Sequence, residues 1–272
     1  MDALSAAVIQ LNCQSDVSEN LAQARTLTRS AAAAGARLVV LPENFAFMGE
    51  EDDKRRIAED LTGSGPMTSF LRETAKESAV FLVGGGMPEQ SADPARPYNT
   101  SVLVSPSGEI VASYRKVHLF DVDLPDGTEA KESRATHAGD TSLRVQDVFG
   151  VKLGMTICYD LRFPEEYRAL VDLGARIVTV PAAFTLMTGK DHWHTLLRAR
   201  AIENQVFVLA AAQHGKHPRG RTTYGKSLIV DPWGTVLAQV GEGVGYALAR
   251  LDFDYQDKVR AGLPCLAHRR MK

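Results

Sequence analysis

The stretch Val151-Lys-Leu-Gly-Met-Thr-Ile-Cys158, followed at once by Tyr159-Asp-Leu-Arg-Phe-Pro-Glu165, decides how this chain is read. A short apolar run ends in a thiol and turns directly into a polar, helix-starting segment. That order puts the sulfur of Cys158 at a sheet edge, beside backbone N–H groups and the positive end of a helix. Both favour a thiolate and a developing oxyanion. Standing alone, such a cysteine is more often a packed core residue. Two further apolar strands also end in charge: Leu38-Val-Val-Leu-Pro-Glu43 and Ile110-Val-Ala-Ser-Tyr-Arg-Lys116. Singly, Glu43 reads as an exposed carboxylate after a strand and Lys116 as a solvated hairpin lysine. With Cys158 they make a base, a cation and a nucleophile.

Working outward, strands and helices alternate. Ala6–Asn12 is a strand, and Asp16 with Glu19 has capping-box spacing ahead of a helix that Gly35 ends. Arg37–Leu41 is a continuous apolar run, as in a strand covered on both faces. Helical pattern follows near 52–60 and 67–78. Val80–Val83 is a strand read as ending in Gly84-Gly-Gly86, and Tyr98–Ser105 with Glu109–Tyr114 is a hairpin around Pro106-Ser-Gly108. Residues 120–140 are polar and rich in turn formers, so they read as one long ordered loop, a kind usually tied to function. The second half repeats the style. It has a helix at 164–173, a buried strand at 176–180, a helix at 192–204, a strand at 206–212, a hairpin about Pro232-Trp-Gly234 and a last strand at 246–252. No linker or compositional break divides residues 1–272, so a single domain is expected. Two such halves suggest an α/β fold with two sheets face to face and helices outside; pattern alone also admits a three-layer sheet.

Composition bounds the function. At 272 residues the chain fits one large α/β domain. A net charge of −2 argues against nucleic acid or an acidic membrane as partner. No apolar run approaches the ~20 residues that span a bilayer, and the N-terminus lacks signal-peptide character. Cys13, Cys158 and Cys265 are too scattered for a disulfide framework or a zinc cage, and the seven histidines lack metal-ligand spacing. A reducing cytoplasm and no metal site are therefore expected. Cys13 reads as core, and Cys265 as bystander or interface. His118, His192 and Trp193 are read as structural.

Leu41-Pro-Glu43, Tyr114-Arg-Lys-Val-His-Leu-Phe-Asp121 and Ile157-Cys-Tyr-Asp-Leu-Arg-Phe-Pro-Glu165 resemble, in order and spacing, the three signature segments of the nitrilase, or carbon–nitrogen hydrolase, superfamily. The resemblance covers nearly the whole chain. It implies a four-layer αββα sandwich, two mixed sheets face to face with helices outside, paired as a homodimer or a higher homo-oligomer. It also implies hydrolysis of a non-peptide C–N bond without metal or organic cofactor. Glu132, sixteen residues beyond Lys116, matches the second glutamate of the family, which positions substrate and orients the lysine; otherwise it is a charged loop residue. Within the superfamily the match is to the Nit branch. Arg162-Phe-Pro-Glu165, Arg198-Ala-Arg-Ala-Ile-Glu203 and Ala210-Ala-Ala-Gln-His-Gly215 are more similar to the group acting on deaminated glutathione than to the ω-amidases. The loop Asp126-Gly-Thr-Glu-Ala-Lys131 departs from its family counterpart and is expected to bear on substrate preference.

The chemistry follows from the residue types. Glu43 takes the thiol proton and Cys158 attacks an amide carbonyl. Lys116 and the N–H of Tyr159 face the oxyanion, and a thioester is then hydrolysed by water that the same carboxylate activates. For substrate binding, Arg162 is placed to pair bidentately with a carboxylate, with a structural ion pair as the alternative. Phe184 and Thr185 either line the pocket wall or pack in the core. The expected reaction is cleavage of a small carboxylate-bearing amide, deaminated glutathione first, giving 2-oxoglutarate and cysteinylglycine. ω-Amidase activity on 2-oxoglutaramate or succinamate, N-carbamoyl hydrolysis and, in another class, a non-catalytic scaffold remain as alternatives.

Overall fold

Strand β1 (Leu4–Gln10) sends alternate side chains into two different cores. Ala6 and Val8 face a second sheet, whereas Ala7 and Ile9 face helices. The two-residue period of a strand makes this division unavoidable once both faces are covered. The structure is a computed structural model and describes residues 3–125, 127 and 129–271.

After β1 come α1 (Val17–Ala33), β2 (Leu38–Val40), α2 (Lys54–Ile57) and α3 (Pro66–Ser78). Strands β3 (Phe81–Glu89), β4 (Tyr98–Val104) and β5 (Ile110–Arg115) follow, then a small hairpin, β6 (Asp121–Asp123) and β7 (Glu129–Lys131). The second half holds β8 (Val145–Val148), β9 (Val151–Met155), α4 (Pro164–Asp172), β10 (Ile177–Thr179), α5 (Leu186–Thr188), α6 (His194–Asn204) and β11 (Phe207–Ala210). The hairpin β12 (His214–Lys216) and β13 (Thr222–Tyr224) precedes β14 (Leu228–Val230), β15 (Val236–Gln239), β16 (Gly245–Leu251) and α7 (Phe253–Gly262).

Among the described residues the strands form two six-stranded sheets, β16-β1-β2-β3-β4-β5 and β15-β14-β11-β10-β9-β8. Each has three parallel strands at its centre, β1-β2-β3 or β9-β10-β11, flanked by antiparallel ones. Helices α1 and α3 cover the first sheet, and α4 and α6 the second. The fold is thus the expected αββα sandwich, and its halves are built alike without sharing sequence.

Local chemistry sets the element ends. Asp16 accepts the N–H of Glu19 at 3.0 Å and caps α1. Pro164 opens α4, where a missing N–H costs nothing. Three expectations are corrected. Gly84–Gly86 do not end the third strand, which runs on to Glu89. A Cβ on Gly85 would strike the Leu41 carbonyl and Pro181, and one on Gly86 would lie 2.7 Å from Asn99 Oδ1, so these glycines let other backbone approach. Residues 120–140 are no plain loop, because they carry the β6–β7 hairpin and a 3₁₀ turn at Glu132–Arg134. The helix expected over 52–60 shrinks to a 3₁₀ turn, Glu51–Asp53, and the one-turn α2. Of the unusual loop 126–131, Asp126 and Thr128 lie outside the described residues.

Candidate active site

Cys158, Glu43 and Lys116 each follow the C-terminal end of a strand, and the sandwich brings those ends together. Glu43 lies three residues beyond β2, Cys158 three beyond β9, and Lys116 directly after β5. In open α/β sheets this edge is where ligands collect. Cys158 has φ +48, a left-handed conformation that costs a non-glycine residue roughly 1 kcal/mol or more. The strain turns the sulfur out of the strand direction, in the manner of a nucleophile elbow. The Cys158 N–H is tied to Pro181 O at 2.8 Å, which fixes the turn. Tyr159 stands in the first turn of the 3₁₀ segment Cys158–Arg162, where a helical N–H has no partner within its own helix.

The charged groups are packed against one another. Lys116 Nζ donates to Glu43 Oε1 at 2.9 Å and to Glu132 Oε2 at 2.9 Å. Glu43 Oε1 also accepts Asn99 Nδ2 at 2.9 Å, and Oε2 accepts the Ala183 N–H at 3.0 Å. Glu132 Oε2 accepts the Phe120 N–H at 2.7 Å, which pins the start of the β6–β7 segment to the site. Glu43, Lys116 and Cys158 are 4%, 2% and 6% exposed, so these contacts act at low dielectric. Burial works against the Lys116 cation, but Glu132, Glu43 and Cys158 outweigh it and hold its pKa well above the ordinary value. Burial pushes the Cys158 thiol well up, and Glu43 adds to this; Lys116 and the Ala183 N–H pull the other way. The resting sulfur is therefore a thiol beside a carboxylate, an arrangement that generates its nucleophile only as the proton leaves.

The cleft over the sulfur has a volume of about 950 Å³, and Glu43, Lys116, Glu132, Cys158, Tyr159, Arg162, Phe184 and Thr185 all border it. All eight residues singled out in the sequence thus meet at one place. Arg162 lies over the rings of Phe184 and Tyr159, 5.4 and 5.9 Å from their centroids, and its guanidinium is 3.4 Å from His192 Nδ1. Among the described residues no carboxylate pairs with it, so the structural ion pair held open for it is not formed. Phe184 is largely buried against Trp193. Thr185 spends its hydroxyl on the N–H of Thr188, capping α5.

Sequence reasoning missed Asn99, whose amide bridges Glu43 and Glu132 at 2.9 and 3.4 Å. It also missed Gln213, whose Nε2 donates to the carbonyls of Glu43 and Asn44 at 3.0 and 3.2 Å. An amide at the start of a strand carries no local mark of such a task. Only the opposed strand ends reveal it.

The Carbon-nitrogen hydrolase family pattern matches residues 5–261. A deaminated glutathione amidase from Synechocystis sp. is 46% identical over 97% of this chain and 97% of its own length. The human deaminated glutathione amidase is 42% identical over 97% of this chain and 81% of its own. Among solved structures, the Caenorhabditis elegans NitFhit protein superposes with a TM-score of 0.93 at 38% identity, covering 99% of this chain and 66% of that one. Saccharomyces cerevisiae Nit3, a member of branch 10 of the nitrilase superfamily, gives 0.89 at 32% identity, with 99% and 97% covered.

Proposed function

Since the chain belongs to the carbon–nitrogen hydrolase family, we propose that it hydrolyses a small carboxylate-bearing amide through a thioester on Cys158, with deaminated glutathione as the substrate. The observation that carries this reading is the convergence of Glu43, Lys116 and Cys158 in one buried cluster at the floor of an open cleft. Glu43 takes the Cys158 proton as the sulfur attacks the carbonyl. The C=O electron pair moves onto oxygen, where Lys116 and the Tyr159 N–H meet it. As the oxyanion collapses, the C–N bond breaks and Glu43 returns its proton to the departing nitrogen. Water enters where the amine left, gives a proton to Glu43 and attacks the thioester, which releases the acid and the thiol. Glu132 keeps Lys116 aimed between both steps.

The substrate assignment draws on three supports. Relatives that match over nearly the whole chain carry the name deaminated glutathione amidase. The cleft volume suits a ligand of tripeptide size. Arg162 brings to its wall a fork-shaped cation that no carboxylate among the described residues pairs with, suited to a substrate carboxylate. Phe184 and Thr185 would border the acyl chain. The same reading includes a homodimer, supported by the apolar Ile202 and Trp233, 45% and 57% exposed on α6 and the adjoining turn, and a reducing, cytoplasmic location that suits three free cysteines.

The test is kcat/KM on deaminated glutathione against 2-oxoglutaramate and succinamate, with intact-mass detection of an acyl adduct on Cys158. A preference for deaminated glutathione of at least about tenfold is expected. Equal or reversed preference would reassign the enzyme to the ω-amidases, and no adduct with no turnover would leave a scaffold.

A further inference from the structure

Beside the proposed reaction centre lies a buried cluster that the reaction does not use. Tyr114 is 1% exposed, Asp160 0% and Glu166 7%, and His118 closes the group from its open side. The Tyr114 hydroxyl stands 2.8 Å from Asp160 Oδ2 and 2.9 Å from Glu166 Oε1. A phenol has one proton to donate, so two carboxylates cannot both be its acceptors. One of the two acids must carry a proton and donate it to the phenol oxygen. Asp160 is fully engaged as an acceptor. Its Oδ2 also takes the Ile157 N–H at 2.8 Å, and its Oδ1 takes the His118 N–H at 3.1 Å and faces His118 Nδ1 at 2.8 Å. The proton therefore belongs to Glu166.

The two backbone groups held by Asp160 matter for the site. Ile157 immediately precedes Cys158 in its left-handed turn, and His118 lies two residues beyond Lys116. One carboxylate thus joins the segment bearing the sulfur to the segment bearing the ammonium. The His118 ring stacks on Phe163, 3.6 Å apart and nearly parallel, which closes the other end of the 3₁₀ turn.

We infer that Tyr114, His118, Asp160 and Glu166 form a proton-sharing clamp that sets the separation of Lys116 and Cys158. They are positioning residues, and the inference rests on the reading of Cys158 as nucleophile but not on the choice of amide. The clamp has a defined range. Burial, reinforced by Asp160, pushes the Glu166 carboxyl up to about 9. Burial, with Asp160 and Glu166 adding, keeps the Tyr114 phenol protonated. His118 Nδ1 faces Glu166 Oε2 at 3.4 Å, Glu165 on the same helix adds further negative charge, and Arg200 stands over the Tyr167 ring, 5.4 Å from its centroid. Below about pH 9 the Glu166 proton is in place; above it, a second carboxylate charge forms against Asp160 and the clamp opens.

The experiment uses the full chain as wild type, Glu166→Gln, Glu166→Ala and Asp160→Asn. It measures Cys158 alkylation by chloroacetamide across pH, read by intact mass, together with kcat and KM on the amide that the wild type turns over. Glu166→Gln keeps a donor toward Tyr114 and cannot ionise. It should stay within about threefold of wild-type kcat near neutrality, and its alkylation rate should keep climbing where the wild type flattens or falls above about pH 9. Glu166→Ala should lose about tenfold or more in kcat with KM nearly unchanged, and Asp160→Asn more still. An alanine variant with wild-type kcat, or a glutamine variant as impaired as the alanine one, overturns the clamp. If Asp160→Asn does not fold, the two Glu166 variants decide alone. If no amide is turned over, the alkylation profiles still decide, so failure of the substrate assignment and failure of the clamp stay separate.

Discussion

Lys116 Nζ stands 2.9 Å from Oε1 of Glu43, with 2% and 5% of the two side chains exposed, and the same ammonium serves Glu132. One cation is therefore shared by two carboxylates, Glu43 buried and Glu132 11% exposed. Replacing it with Met keeps the bulk and strands both negative charges. The expected cost is about 3–5 kcal/mol of stability, as for other broken buried pairs, together with a loss of about 100-fold or more in kcat. Urea denaturation and steady-state kinetics measure the two. Arginine should not restore activity, since its planar fork cannot occupy the point at which three acceptors converge.

Glu43→Gln should separate thiol acidity from turnover. Glu43 is one of the groups that raise the Cys158 thiol, so its removal lowers that pKa and increases the thiolate fraction at a given alkaline pH. Chloroacetamide labelling should then be faster than in wild type. Amide hydrolysis should fall by about 10²- to 10⁴-fold, because the leaving nitrogen loses its proton donor. A Gln variant that still turns over amide normally would remove Glu43 from the mechanism.

Arg162→Ala should raise KM for a carboxylate-bearing amide by about tenfold or more and barely move kcat on a small neutral amide. The guanidinium rests on aromatic faces and, among the described residues, not on an acid, so its loss should not unfold the chain. Lysine should recover only part of the affinity. Equal losses on charged and neutral amides would assign Arg162 a packing role.

Glu166 should make stability fall as pH rises through the neutral range. Its carboxyl is raised from 4.5 to about 9 in the folded chain. Between those values the native state holds a proton that the unfolded state has released, so unfolding is favoured by up to about 1.4 kcal/mol per pH unit from this group. The contribution is fully present below pH 4.5 and is lost as pH climbs toward 9. Thermal unfolding of Glu166→Gln across this range should show a flatter dependence than wild type; parallel curves would contradict the placement of the proton.

Buried central strands were legible from sequence because continuous apolar runs declare themselves. Arg37–Leu41, Val151–Cys158 and Arg176–Val180 all fall on strands β2, β9 and β10 or their ends. The short hairpins were not legible. His214–Lys216 with Thr222–Tyr224, and Asp121–Asp123 with Glu129–Lys131, are polar and three residues a side. Their pairing depends on contacts such as Glu132 with the Phe120 N–H, made across the fold and invisible to any local window. Gly84–Gly86 misled for a related reason. The signal of a glycine run is the same whether it ends a strand or lets Leu41, Pro181 and Asn99 pass close to one.

The order of residues alone determined which chemistry was on offer: a carboxylate, an ammonium and a thiol, each set just past an apolar strand where the backbone turns. Covalent connectivity is enough to place a side chain at the end of its own strand. It is not enough to say which strand ends face each other, since that follows from packing two twisted sheets on one core. Only the tertiary structure therefore joined Asn99 to both glutamates, left Arg162 without an acid among the described residues, and put Tyr114 between two carboxyl groups with one proton too few.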